Sequence, residues 1–194
     1  MKYFVWVSCV TVVTISGILD AQEFNRLTIA TGVGFSPALG TSAHNLNYGW
    51  NLDGGFGVNL TSYLGIMVDN NYSTIDVSRA TLASHGYISG NWAAFSVTLD
   101  PIVHLTRKKP VDFYVTGGGG LYHVENPFFG MYPMPEAAVG VLSPTLNKPG
   151  LDIGGGIAFG SALRSKVYVE ARFNSVFMGS YHTNYVPVTF GFRW

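Results

Sequence analysis

From residue 26 onward the chain repeats one pattern, with apolar side chains at alternate positions and small or polar residues between them. Alternation with a period of two marks a β-strand whose two faces meet different surroundings. Leu27, Ile29, Val33 and Phe35 oppose Arg26, Thr28, Ala30, Gly32 and Gly34, and Trp50, Leu52, Phe56, Val58 and Leu60 oppose Asn51, Asp53, Gly55, Gly57 and Asn59. Leu64, Ile66, Val68 and Tyr72 stand against Gly65, Met67, Asp69 and Asn71, and Ala93, Phe95, Val97 and Leu99 against Ala94, Ser96, Thr98 and Asp100. The fifth run sets Phe113, Val115 and Leu121 opposite Tyr114, Thr116 and Tyr122, and the sixth sets Leu151, Ile153, Ile157 and Phe159 opposite Asp152, Gly154, Gly156 and Ala158. Val167, Val169, Ala171 and Phe173 then face away from Tyr168, Glu170, Arg172 and Asn174. The chain ends with Val186, Val188, Phe190, Phe192 and Trp194 against Pro187, Thr189, Gly191 and Arg193. These runs predict about eight strands, an even number, as bacterial single-chain outer-membrane barrels have.

The connections sharpen that prediction. Gaps near 61, 107 and 162 are short, whereas those at 36–46, 73–88, 125–148 and 177–184 are longer. Tight turns at one end and loops at the other fit an antiparallel transmembrane β-barrel, with turns in the periplasm and loops outside the cell. The apolar face would then meet lipid, and Arg26, Asp53, Asp69, Asp152, Glu170, Arg172 and Arg193 would form a lumen charge network in which acids and bases offset one another. A soluble ligand-binding barrel would show the same alternation with the faces exchanged. Composition favours lipid outside: only 11% of the residues are charged, with 11 basic against 11 acidic, and mean hydropathy is positive. Zero formal net charge also removes the electrostatic case for nucleic acid.

The first residues, MKYFVWVSCVTVVTISGILDAQ, carry Lys2, then an apolar stretch from Tyr3 to Leu19 and a small residue, Ala21, at a plausible cleavage point. Residues 1–21 read as a signal peptide, leaving 22–194 as the barrel domain. A transmembrane anchor is the competing reading of the same stretch. Cys9, the single cysteine, lies in this segment, so the mature domain would offer neither a disulfide nor a thiol for zinc or catalysis.

Three glycine clusters interrupt the runs: GGFG at 54–57, GGGG at 117–120 and GGG at 154–156. None opens a helix or carries the Lys and Ser or Thr of a phosphate-binding loop, and no G-x-G-x-x-G is completed. A narrow, strongly curved barrel gives glycine a use, because bare backbone relieves crowding in the lumen and aromatic neighbours such as Tyr114, Tyr122 and Phe56 can cover it.

The stretches PVDFYVTGGGGLYHV, LDIGGGIAFG, KVYVEARF and the terminal VPVTFGFRW together resemble the small OmpA-type outer-membrane β-barrel family, over nearly all of the chain after residue 22. The resemblance implies export to the bacterial outer membrane, contact with its lipid and lipopolysaccharide, and folding by the barrel-assembly machinery. It also implies an assembly signal in the last strand, which Phe190, Phe192 and Trp194 fit, although Thr189 stands where a glycine is often found and Gly191 is displaced. No peptidoglycan-binding domain and no tether to the cell wall are expected.

Catalysis finds little support. His44, His85, His104, His123 and His182 show no metal-ligand spacing, and each reads as a polar loop or interface residue. The sharper candidate is SYHTN, residues 180–184, since lipid A deacylase barrels use a serine, a histidine and an acid at the outer rim. Ser180 and His182 would need an acid such as Glu125 or Glu136 within hydrogen-bond reach, and the order does not match that family's motif. A lipid A-modifying enzyme is the alternative function; no cofactor, metal or catalytic residue is assigned. A pore is a third reading, but eight strands enclose an interior that side chains fill, so at most slow leakage is expected. The long loop over 125–148 holds Phe128, Phe129, Met131, Tyr132 and Met134 among prolines, and suits contact with an external partner or a fold back onto the rim or into the lipopolysaccharide layer. The function expected from the sequence is therefore structural or a surface interaction.

Overall fold

The computed structural model describes residues 26–84, 90–106, 110–125, 145–160, 165–179 and 181–194. The expected signal peptide, His85, Ser180, Glu136 and most of the 125–148 loop lie outside the described residues.

Nine strands form one antiparallel sheet: β1 (Leu27–Pro37), β2 (Leu46–Asn59), β3 (Leu64–Val77), β4 (Asn91–His104), β5 (Val111–Glu125), β6 (Thr145–Gly160), β7 (Lys166–Phe177), β8 (His182–Tyr185) and β9 (Val188–Arg193). Each of the first seven pairs with its successor, β7 pairs with both β8 and β9, and β9 returns to β1. The sheet is thus a closed barrel of eight strands, the eighth being β8 and β9 in succession. Pro187 marks the interruption, since a proline has no N–H to give a ladder; Val186 N–H donates to Pro37 O and Arg172 N–H to Pro187 O, keeping both neighbours in register across the break. Trp194 and Ile29 exchange backbone hydrogen bonds at 2.8 and 3.0 Å, which fastens the end of the chain to its first strand and leaves no open edge.

The alternation places the faces as the lipid-outside reading requires. Ile153 is 67% exposed, Val33 60% and Leu99 56%, whereas Asp69, Asp100 and Asp112 are buried inside the barrel. A soluble barrel would show the reverse, and that alternative is excluded by this arrangement.

The strands run further than the sequence pattern marks. β3 continues to Val77, β2 begins at Leu46 and a strand forms over His182–Tyr185, all in stretches expected to be loop. Strands of 14 to 16 residues exceed the roughly 9 to 11 that cross a bilayer, so the wall continues past the hydrocarbon on the side of the longer connections. There the alternation fails because consecutive residues, Ser73, Thr74 and Ile75 in β3 and Trp92, Ala93 and Ala94 in β4, are all buried. On this loop side a 3-10 turn, Gly40–His44, follows β1, and a short helix, α1 (Arg79–Ser84), follows β3. Ser78 starts that helix: its carbonyl accepts from Leu82 N–H and its hydroxyl from Thr81 N–H.

Candidate functional site

The barrel interior is built in layers, because each strand sends every second residue inward and the register aligns those residues around the axis. At the turn end, Lys166 Nζ donates to Asp112 Oδ2 at 2.9 Å, and His104 Nδ1 lies 2.9 Å from the same oxygen. All three are buried. His104 lies at the end of its strand, as the last residue of β4, and points inward on the same face as Asp100 and Ile102 rather than into a loop. Nearby, Asn59 donates to Thr28 Oγ1 at 2.8 Å.

The next layer is aromatic and apolar, with Tyr114 and Tyr168 packed among Ala30, Met67, Ile102 and Ala158. The Arg193 guanidinium lies over both rings, 4.4 Å from the centroid of Tyr114 and 4.9 Å from that of Tyr168. These contacts shield a buried cation by the ring faces. Tyr168 also donates its hydroxyl to Asp53 Oδ2 at 3.2 Å.

Glycine makes the room. A Cβ on Gly156 would collide with the Tyr114 hydroxyl oxygen, one on Gly32 would stand 2.8 Å from that of Tyr168, and one on Gly150 2.6 Å from the Tyr122 ring. Gly156, Gly150 and Gly32 are therefore spaces in the wall that admit the inward tyrosines, and Tyr114 and Tyr122 cover bare backbone across the sheet; in the GGGG run of β5 a Cβ on Gly118 or Gly120 would instead meet the backbone of Leu99 or Val97 in β4. Phe56, expected to do the same, points outward and is exposed.

At mid-height Arg172 gathers the acids. Its Nη1 lies 2.6 Å from both Asp69 Oδ2 and Asp100 Oδ2 and 3.7 Å from Asp152 Oδ1, while Nε and Nη2 reach Glu170 Oε1 at 3.0 and 2.6 Å. Arg193 Nη2 lies 3.4 Å from Glu170 Oε2, so Glu170 bridges the two guanidiniums. Asp53 receives Asn71 Nδ2 at 3.2 Å. Of the residues expected to form the lumen network, Asp53, Asp69, Asp152, Glu170, Arg172 and Arg193 come together here. Arg26 does not: it is exposed, one residue before β1 begins. Asp100, placed on the polar face of its strand, was not counted in the network, and Asp112 and Lys166 were missed, although the parity of their strands places both on the inner face. A small cavity of about 10 Å³ opens beside the network, lined by Asp53, Asp69, Asn71, Glu170 and Arg172 among others. That is about the room one water occupies.

Above the charges lies a neutral polar layer. Thr189 donates to Asn51 Oδ1 at 2.9 Å, Asn51 Nδ2 to Ser36 Oγ at 3.3 Å, Ser73 to Asn71 at 2.7 Å, and Tyr122 to Asn174 Oδ1 at 2.9 Å. The loop end is closed by an apolar cluster of Ala38, Leu46, Ile75, Val77, Leu82, Trp92, Ala94, Tyr122, Val124, Val176 and Tyr185. Trp92 and Tyr185 meet edge to face at 5.2 Å, and α1 lays Leu82 into the group. The sequence reading placed Ala94 and Tyr122 on the inward face but did not assemble this plug, whose other members lie mostly in stretches read as loop.

The chemistry proposed for the rim is not assembled among the described residues. His182 stacks edge-on against Phe177 at 5.2 Å, and Glu125 is exposed at the far end of β5, paired with Thr145; Ser180 and Glu136 are not described. Among the described residues no cluster of His, Cys, Asp and Glu has the arrangement of a metal site. Phe190, Phe192 and Trp194 all point outward from the end of the chain and are about half exposed.

No protein-family model and no curated protein matches the chain. Among solved structures it is similar to Neisserial surface protein A, with a TM-score of 0.61 and 13% identity over 89% of this chain and 98% of that one. Weaker likenesses, both with a TM-score of 0.46, are to Ail of Yersinia pestis in complex with the heparin analogue sucrose octasulfate and to the N-terminal β-barrel domain of Pseudomonas aeruginosa OprF. Ail has 15% identity over 87% of this chain and 98% of that one; the OprF domain has 13% over 89% and 100%. At such identity the likeness is one of fold, and the fold is that of a small, closed eight-stranded outer-membrane barrel.

Proposed function

We propose that this chain is a small barrel of the bacterial outer membrane that works through its wall and its outer rim, stabilising the envelope or presenting its longer connections to an external partner. The observation that carries this reading is a lumen filled along its length: the Lys166–Asp112–His104 group near the turns, the Arg172 network at mid-height and the Trp92–Tyr185 plug near the loops. Among the described residues each layer is occupied by packed side chains, which supports a lumen without steady ion flow, and the outward face is apolar as lipid requires. Residues 1–21 would direct export and be removed. Phe190, Phe192 and Trp194 would present the last strand to the barrel-assembly machinery, and residues 125–148 would meet lipopolysaccharide or the external partner.

The test is direct. In fractionated cells the protein should enter the outer membrane and migrate differently on gels before and after boiling, and external protease should cut it only in the longer connections. Reconstituted in planar bilayers, it should show no steady conductance. A heat-insensitive periplasmic product would overturn the membrane reading, and stable single-channel steps would overturn the closed lumen.

A further inference from the structure

The outer wall of β1 to β4 is apolar at nearly every outward position: Leu27, Ile29, Val33 and Phe35; Trp50, Leu52, Phe56 and Val58; Leu64, Ile66, Val68 and Tyr72; Phe95, Val97 and Leu99. Three residues within this band depart from the pattern, Thr31, Gly54 and Asn70, and they are register partners on three adjacent strands. Thr31 pairs with Gly54, and Gly54 with Asn70. The row above them is Val33, Leu52 and Tyr72, and the row below is Ile29, Phe56 and Val68. A Cβ built on Gly54 meets nothing within 4 Å, so the row forms an open notch with two polar walls.

The polar groups are only partly used by the chain itself. Asn70 Nδ2 donates to Gly54 O at 3.3 Å and Thr31 Oγ1 to Asp53 O at 3.4 Å. The second amide hydrogen of Asn70 and its Oδ1 have no partner among the described residues. Hydrocarbon supplies neither donors nor acceptors, so a carboxamide held in it favours contact with protein. Between membrane helices, a small residue that lets two backbones approach, flanked by side chains that hydrogen-bond across, is the combination that joins them, and the notch presents the same pairing on a strand face.

Resting on the membrane reading above, we propose that this face joins two copies of the barrel about a two-fold axis passing near Gly54. The occupant is a second copy because the notch is self-complementary: a carboxamide both donates and accepts, so each Asn70 can meet its symmetry mate or the opposing Thr31 without any other chemistry. The aromatic and aliphatic side chains around the notch, Trp50, Leu52, Phe56 and Tyr72, then pack against the same set on the partner.

Cysteine cross-linking in native membranes tests this in a Cys9→Ser background. Gly54→Cys should give a disulfide-linked dimer on mild oxidation, and Ile153→Cys, on the opposite wall in β6, should not. Gly54→Leu and Asn70→Leu, which suit lipid contact and leave the monomer unclashed, should keep heat-modifiable mobility. Energy transfer between labelled copies in phospholipid vesicles should show association weakened on the order of tenfold for each. The proposal is overturned if Gly54→Cys fails to cross-link, if Ile153→Cys cross-links equally, if both leucine variants associate like the parent, or if Gly54→Cys links only to a different protein. Loss of heat-modifiable mobility in the parent would instead remove the membrane reading itself.

Discussion

The two halves of the lumen close the same tube by opposite means. On the loop side, Trp92, Tyr185, Ile75, Val124 and Val176 are buried almost completely and form a core like that of a soluble protein. At mid-height the wall sends in Asp69, Asp100, Asp152, Glu170, Arg172 and Arg193, and cohesion comes from ion pairs. The lipid around the barrel explains the difference. Where the outer face must be apolar, an apolar lumen would leave no polar face to distinguish inside from outside in strand register, and a slip of one residue would cost little. A charged interior makes that slip prohibitive. Beyond the hydrocarbon the outer face turns polar, with Asn47, Asp76 and Asn91 exposed, and the inner face is free to become the hydrophobic one.

Breaking each half should therefore hurt in its own way. The largest effect is expected from Arg172→Leu, which leaves Asp69 and Asp100 without the cation each now contacts and leaves Glu170 with Arg193 alone. Removing one partner of a buried ion pair costs about 3–5 kcal/mol, and with several acids orphaned the loss should reach about 5 kcal/mol or prevent folding. The temperature at which the folded gel band disappears, or urea unfolding in micelles, reads this out; an unchanged transition would show that the network is not what holds the middle. Trp92→Ala should cost about 4 kcal/mol through the cavity it leaves beside Tyr185, yet the barrel should still insert, because the membrane-spanning wall is untouched. Protease should then reach the loop-side rim faster, while the folded band persists at lower temperature.

How legible this was from sequence follows the same division. Strand number, the outward face and closure of the last strand on the first were readable because lipid enforces strict alternation wherever the wall crosses it. The plug was not, since above the hydrocarbon Ser73, Thr74 and Ile75 are consecutively buried and period two no longer reports which side is in. Nor did periodicity expose the break at Pro187, which lies on the correct inner parity and only reveals itself through the register of its neighbours. The acids of the network were mostly found; Asp100 was placed on the inner face but not counted in the network, and Asp112 of the turn-end group was passed over, although counting parity from Tyr114 reaches it. What parity cannot supply is which acid meets which base, because that depends on barrel register across strands far apart in sequence. Glu170 and Arg172 read as one-strand neighbours, whereas the Arg172 partners on β3 and β4 come from closure.

The smallest expected effect sharpens the comparison most. Five carboxyl groups, Asp53, Asp69, Asp100, Asp152 and Glu170, share Arg172 and Arg193, and they are not used equally. Glu170 engages both guanidiniums, and Asp69 and Asp100 each touch Arg172 at 2.6 Å. Asp152 is fully buried and lies 3.7 Å from Arg172, and neither of its oxygens accepts a hydrogen bond among the described residues. A carboxylate that is desolvated, distant from its cation and beside other acids adds repulsion with little return. Asp152→Asn keeps the shape, removes one negative charge and introduces a donor facing that acidic surround. Stability should stay unchanged or rise by up to about 1 kcal/mol, the worth of one buried hydrogen bond, whereas Glu170→Gln in the same assay should cost several times that. If instead Asp152→Asn lowered the unfolding midpoint as far as Glu170→Gln does, the acids would act as an indivisible set, and the distances around Arg172 would be no guide to which of them holds the barrel together.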